Sequence, residues 1–399
     1  MNILQFSISY SLNSDTIDSD MAEALVKAGH KVCALSMDPK FDSKEGEIRH
    51  KNGVEILCVK TGAVQKVSKY KKGVNFLMLP RIVKKAVQKH WENRNFGFIL
   101  FEAPPVTLQS VIRWAKKKFS CPAYLMQKDI FPQNAVDLNF FGKRSLAYAY
   151  FISQEKKMLK ASDFIGCMSQ ANIDYIRKHN PYLNPECVEY FPNTKSIKPL
   201  KEEDKTEIRN KYSIPQNACV FLFGGNMGKP QNVEIICKAM DYFNKDQSVF
   251  FLFIGSGTDA GVLKNRIKNA PIENALFLDY MPRDDDEKIL RTCDVGLISL
   301  NPNFTIPNYP SKILSYMECS IPVVASLDLN TDYGKLLQED AKCGFWSDAS
   351  KPEEFIANLK KMSQNLENAR KMGANGRKYL EDNFDVAKSV KILEGHFLK

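Results

Sequence analysis

Lys312 stands where a lysine needs a chemical reason. In Asn308-Tyr309-Pro310-Ser311-Lys312-Ile313-Leu314-Ser315-Tyr316-Met317-Glu318, a proline and a serine open a short helix, and the apolar run 321–325 then reads as a buried strand. At helical spacing Ile313, Leu314 and Met317 share one face, and Ser311, Ser315 and Glu318 another, flanked by Lys312. A cation in a first turn opposes the positive end of the helix dipole at a cost of about 0.3–1 kcal/mol. A bound anion reverses that sign and adds a charge-assisted hydrogen bond of about 1.5–3 kcal/mol. Lys312, with Ser311 and Ser315 beside it, is therefore expected to meet a diphosphate.

Two glycine turns follow strand-like runs: Phe223-Gly224-Gly225-Asn226-Met227-Gly228-Lys229 and Ile254-Gly255-Ser256-Gly257. Glycines feeding a helix start near Pro230 or Gln231 allow the backbone to approach a phosphate closely. Asp129, in Gln127-Lys128-Asp129-Ile130-Phe131-Pro132, ends another apolar run and is a candidate base or stabiliser of positive charge. Glu102 holds a similar place, and Ser9, Asn13 and Ser14 form a polar loop after the first strand. The triple aspartate 284–286 reads as acids at a helix start rather than as metal ligands. No metal and no cofactor are expected.

These positions need strand ends to hold them. Short apolar runs alternate with helical stretches twice along the 399 residues, which predicts an α/β fold with two Rossmann-like parallel-sheet domains and ligands at the carboxyl ends of strands, in a cleft between the domains. The charged, proline-flanked segment 192–217 separates them, with a small helix over 202–212. The expected domains are 1–195 and 196–383, with a final helix at about 384–399 able to return to the first domain. The tail from Pro352 reads as helical, interrupted at Gly373 and Gly376. The ten cysteines form no Cys-x-x-Cys pair and read as reduced core residues. No run is long enough to span a bilayer, and the first 15 residues show no signal-peptide pattern.

The net charge is +10, and 65–94 holds nine Lys or Arg against the single acid Glu92. Phe76, Leu79, Val83, Ala86 and Val87 share a helical face there, with Arg81, Lys84, Lys85 and Lys89 outside it, so an anionic membrane is the expected partner. Nucleic acid is not expected, because the charge is not interleaved with a stacking aromatic platform.

Taken together, "GGNMGKPQNVEIICKAM", "FLFIGSGTDAGVL", "NALFLDYMPRDDDEKILRTCDVGLISL" and "YPSKILSYMECSIPVVAS" resemble the donor-binding domain of glycosyltransferase family 4, and "QKDIFPQNAVDLN" and "VEYFPNTKS" resemble the acceptor half of its bacterial surface-polysaccharide subgroup. The resemblance implies the GT-B fold and a retaining, metal-independent hexosyl-type transfer from a nucleotide sugar, most simply a UDP-sugar, to a lipid-linked saccharide. It implies a cytoplasmic enzyme peripheral to the cell membrane. It places the donor against Gly225, Asn226, Gly228, Lys229, Gly255, Tyr280, Met281, Ser311, Lys312 and Ser315. Asp129 falls at the sugar's reactive face, with Ser9, Asn13 and Glu102 on the acceptor side. Asn226 and Gln231 stand where the family carries an arginine and a lysine, and Ser315 and Pro307 where it carries two glutamates. These departures keep two alternatives open: a GT-B nucleotide-sugar epimerase and an inactive glycosyltransferase-like subunit.

Overall fold

The computed structural model describes residues 1–8, 10–12, 15–63, 68–201, 204–269, 272–279, 281 and 283–397. The chain forms two compact units, Met1–Ser196 with Asp385–Lys399, and Ile197–Phe384.

The first unit is built on strands β1 (Asn2–Phe6), β2 (Lys31–Asp38), β3 (Glu47–Lys51), β4 (Val54–Lys60), β5 (Phe98–Ala103), β6 (Ala123–Gln127), β7 (Phe164–Cys167) and β8 (Val188–Tyr190). Their order in the sheet is β3-β4-β2-β1-β5-β6-β7-β8. All neighbours are parallel except β3, which is antiparallel to β4. The inner strands read as continuous apolar runs because both faces of a parallel sheet are covered. On one face the sheet residues Ile3, Val32, Phe98 and Tyr124 meet Val386, Val390, Leu393 and Phe397 of the helix Val386–Phe397. The strand β3 has no counterpart in the sequence reading. Its residues, Glu-Ile-Arg-His-Lys, are those of a charged edge strand. The turn Asn52-Gly53, with φ of 50° and 81°, folds it back on β4.

The second unit carries β9 (Cys219–Asn226), β10 (Val249–Ser256), β11 (Ala275–Leu278), β12 (Val295–Ser299), β13 (Val323–Leu327) and β14 (Gly344–Asp348). The order is β11-β10-β9-β12-β13-β14, all parallel. The helix Val233–Phe243 buries Val233, Ile236, Cys237 and Met240, spaced i, i+3, i+4 and i+7, against Phe221, Phe223, Phe251 and Phe253 of the sheet. The expected helix over 202–212 is Lys205–Lys211, capped by Asp204.

Gly373 and Gly376 do not interrupt the tail. They lie inside one helix, Leu366–Asn383, where a Cβ on Gly373 would stand 2.0 Å from the Ser320 carbonyl oxygen. The glycines allow the helix backbone to approach that loop, at the usual loss of about 1 kcal/mol of helix propensity each. None of the ten cysteines is in a disulfide, and eight are buried.

Candidate active site

The second unit's site is built around two glycine turns locked together. β9 and β10 pair in register through Gly225–Gly255 and Asn226–Ser256. A Cβ on Gly255 would lie 2.1 Å from the Gly225 carbonyl oxygen, and one on Gly257 would lie 2.2 Å from that of Met227. Gly225 itself has φ of 88°. No side chain fits between these turns, so the two strand ends present bare backbone. A short 3-10 turn, Lys229–Gln231, follows, and the helix expected to begin near Pro230 begins at Val233.

Lys312 comes to this turn from the helix Lys312–Glu318. Its Cε is 3.3 Å from where a Gly225 Cβ would stand, and its Nζ lies 4.5 Å from the centroid of the Phe223 ring. Nζ is buried and has no hydrogen-bond partner among the described residues. Burial pushes its pKa down to about 8 from an ordinary 10.5. The Phe223 face offers a cation–π contact of about 0.5–2 kcal/mol, less than full solvation of an ammonium. An anion delivered to Nζ would find a desolvated cation and the bare turn together. The side chains of Ile313, Leu314, Tyr316 and Met317 are buried, and the Tyr316 hydroxyl donates to the carbonyls of Leu222 and Leu297, which fixes the helix on the sheet.

Around Lys312, Gly228 lies beside Asn226 and Thr258. Asn226 Nδ2 donates to Gln231 Oε1 at 3.4 Å, and the Gly228 N–H donates to the same oxygen at 3.2 Å. The two positions where the resemblance leads one to expect cations thus form a neutral pair. Lys229 and Ser311 are exposed, Ser315 is half-buried, and Met281 is buried after β11. Tyr280 lies outside the described residues, as do Ser9, Asn13 and Ser14. In the triple aspartate, Asp285 accepts from Lys211 Nζ at 2.6 Å and from the Tyr212 hydroxyl, tying the start of the helix Arg283–Thr292 to Lys205–Lys211. Among the described residues no group of three His, Cys, Asp or Glu is placed to hold a metal ion.

In the first unit, Asp129 lies just past β6, partly buried, with Asn134 Nδ2 donating to its Oδ2 at 2.6 Å. Burial raises its carboxyl to about 6, against the lowering influence of the Ile130 N–H and the Asn134 amide. A carboxyl titrating there is charged at neutral pH yet close to its switching range.

Glu102, expected on the acceptor side, is held by groups of the first unit itself. It is buried, and its carboxylate accepts from the Ile8 N–H at 2.6 Å and the Ser7 hydroxyl at 3.3 Å and pairs with Lys128 Nζ at 2.6 Å. Lys128 also binds buried Asp18. Burial and then Asp18 raise the Glu102 pKa, while Lys128 and the Ile8 N–H oppose them. Burial alone would depress Lys128, but the two carboxylates overcome it and hold the ammonium above its ordinary range. Lys128 and Asp18 escaped the sequence reading. The one available signal was Lys128's place, next to Asp129 at a strand end.

The basic segment also needs correction. It forms the helix Lys69–Trp91, but Leu79, Val83, Ala86 and Val87 are buried, so that apolar face covers the protein's own core. Lys89 pairs with Glu45, and Lys84 lies over the Trp114 ring at 5.2 Å. Arg81 and Lys85 are exposed. No helix among the described residues is long and apolar enough to cross a membrane.

Two parallel-sheet α/β units, the second presenting glycine turns and a buried lysine, define a GT-B fold. Residues 204–379 match the family model of glycosyl transferases group 1. It is 24% identical over 220 residues to WbjE of Pseudomonas aeruginosa, named a probable glycosyltransferase, covering 54% of this chain and 53% of the relative. It is 24% identical over 156 residues to WcaI of Escherichia coli K12, whose name assigns it as a glycosyl transferase to colanic acid biosynthesis, covering 38% of each. The chain thus spans about half or less of these curated relatives. Among solved structures, HepE of Anabaena in complex with UDP-glucose superposes with a TM-score of 0.70 at 14% identity, covering 99% of both chains.

Proposed function

We propose that the chain is a retaining glycosyltransferase that moves a sugar from a UDP-sugar to a lipid-linked saccharide in surface-polysaccharide assembly, at the cytoplasmic face of an anionic membrane. The observation that carries this reading is Lys312: a buried ammonium without a hydrogen-bond partner among the described residues, set against a turn that only glycine can form. The family match of residues 204–379, the colanic acid assignment of WcaI and the UDP-glucose complex of HepE support it.

In the transfer, the bond between the anomeric carbon and the diphosphate breaks and a bond to the acceptor oxygen forms on the same face. The diphosphate leaves with the electron pair, and Lys312 neutralises the charge it gains. Asp129, charged at neutral pH, stabilises the positive charge that builds on the sugar. The acceptor's proton leaves with the diphosphate. Because Lys312 and the turn supply the positive field, transfer is expected to survive EDTA.

Calorimetric titration with UDP-, GDP- and TDP-sugars, followed by a transfer assay on lipid-linked saccharides with and without EDTA, tests the reading. Binding of a UDP-sugar and EDTA-resistant product support it. Manganese-dependent transfer overturns the electrostatic part. Binding without transfer or hydrolysis points to a subunit that has kept the donor site, and a sugar altered on its nucleotide without any acceptor points to an epimerase.

A further inference from the structure

Six large apolar side chains lie exposed on two neighbouring segments of the first unit. Val74, Leu77 and Met78 fall on one face of the helix Lys69–Trp91, at i, i+3 and i+4, turned away from the buried stripe. Phe140, Leu146 and Tyr150 come from the loop before, and the first turns of, the helix Leu146–Ala161, with Leu146 91% exposed. The two segments adjoin. Lys72 Nζ lies 5.9 Å from the ring centroids of both Phe76 and Phe140, and the Phe76 ring meets Phe151 at 6.5 Å. Single exposed apolar residues are ordinary, but a contiguous group at helical spacing marks a contact surface.

The charge around this group selects the partner. Lys71, Lys72, Arg81, Lys143 and Arg144 are exposed on the same segments. Neither 68–81 nor 138–153 contains a single Asp or Glu. A second copy docking through this face by two-fold symmetry would set like charge against like charge. An anionic lipid surface instead meets the cations with phosphates and accepts the apolar side chains among its acyl chains.

We propose that the first unit docks on anionic membrane through Val74, Leu77, Met78, Phe140, Leu146 and Tyr150, rather than through the C-terminal half of the helix Lys69–Trp91. This deepens the membrane part of the functional proposal. Its readout is vesicle binding alone, so failure of donor binding or transfer leaves it standing, and its own failure leaves the donor site standing.

Flotation with phosphatidylcholine vesicles, with and without phosphatidylglycerol, is the test. The parent protein is expected to float with the anionic vesicles only and to be released by salt, since the Debye length shortens from about 10 Å at 0.1 M to about 3 Å at 1 M. Leu77→Ser with Leu146→Ser, both at exposed sites, should weaken partition about tenfold or more, while Lys84→Glu with Lys85→Glu weakens it less. In Leu146→Trp the indole emission should shift to the blue on adding anionic vesicles. Parental flotation of the Leu77/Leu146 variant, equal flotation with neutral vesicles, or no flotation at all overturns the proposal. So does a lipid-independent dimer that the Leu77/Leu146 substitutions dissociate.

Discussion

Lys128 and Lys312 are both largely buried lysines beside strand ends, one in each unit, and their surroundings are opposite. Lys128 is clamped by Glu102 and Asp18, which raise its pKa despite burial. Among the described residues Lys312 has the face of Phe223 and no carboxylate partner, and burial lowers it to about 8. A cation satisfied inside the protein positions backbone, here the start of the loop after β1 and the strand end that carries Asp129. A cation left unsatisfied lowers the stability of the free protein and recovers that loss when an anion arrives.

Removing each lysine should therefore move stability in opposite directions. Lys128→Met leaves two buried carboxylates without their counter-charge and should cost about 3–5 kcal/mol at neutral pH. Glu102 already titrates above its ordinary range, and without Lys128 it would titrate higher still. The variant's deficit should therefore grow as pH rises through that raised range and shrink in acid, where the carboxyls are protonated in both states. Denaturant melts at acid and neutral pH measure it, and an unchanged midpoint at neutral pH would remove the distinction between the two lysines.

Lys312→Met should instead stabilise the free protein. The drop from 10.5 to about 8 corresponds to at most about 3 kcal/mol, present in full below the folded value and fading as pH rises toward 10.5, where both states are neutral. The same variant should lose UDP affinity by about 10–150-fold, the loss of one charged hydrogen bond. In the parent, UDP affinity should fall as pH rises through about 8 and Lys312 loses its proton. A variant that is both less stable and unimpaired in UDP binding would make Lys312 a packing residue.

Asp129 lies one residue from the Lys128 clamp and should report on turnover rather than on donor affinity. Asp129→Asn is expected to lower kcat about a hundredfold while UDP affinity stays near parental. The parental rate should fall in acid as the carboxyl protonates near 6, and the variant's residual rate should lack that limb. Its raised pKa also means that Asp129 weakens the parent as pH rises from 3.8 through about 6, so the variant should melt at least as high at neutral pH. A variant with full turnover returns Asp129 to the role of a turn residue.

The parallel sheets were legible because buried parallel strands are apolar along their whole length, as in Val-Phe-Leu-Phe of β9. The strand β3 was not, because an edge strand needs no apolar face, although the Asn52-Gly53 turn marked its hairpin. At the site, Lys312 could be singled out by its helix-start position, which is local. That its Nζ finds no partner among the described residues and that Phe223 lies beneath it depend on contacts between distant segments, as does the pairing of Glu102 with Lys128. The basic helix misled for a related reason. Periodicity finds an apolar face but not what covers it, and the face at Leu79, Val83, Ala86 and Val87 was already covered by the protein itself.

The smallest effect expected concerns Ser315, and it sharpens the picture of Lys312 as an anion partner working with little help. Ser315 is half-buried one turn beyond Ser311, on the helix that carries Lys312, where the family resemblance leads one to expect a ribose-binding glutamate. A hydroxyl can accept one neutral hydrogen bond from a ribose, whereas a carboxylate accepts a charge-assisted one roughly twice as strong. Ser315→Glu should then tighten UDP binding by about 1 kcal/mol, or about fivefold. Two competing terms keep the gain modest. The carboxylate must be desolvated, and its negative charge stands near the diphosphate. Comparing ligands separates them: the gain should appear with UDP and vanish with inorganic pyrophosphate, which has no ribose. Tightening of both ligands would mean that the new charge acts through Lys312, for instance by raising its pKa. Weakening of both would mean that repulsion of the diphosphate dominates, and the ribose would then have to be sought on a different face of the turn.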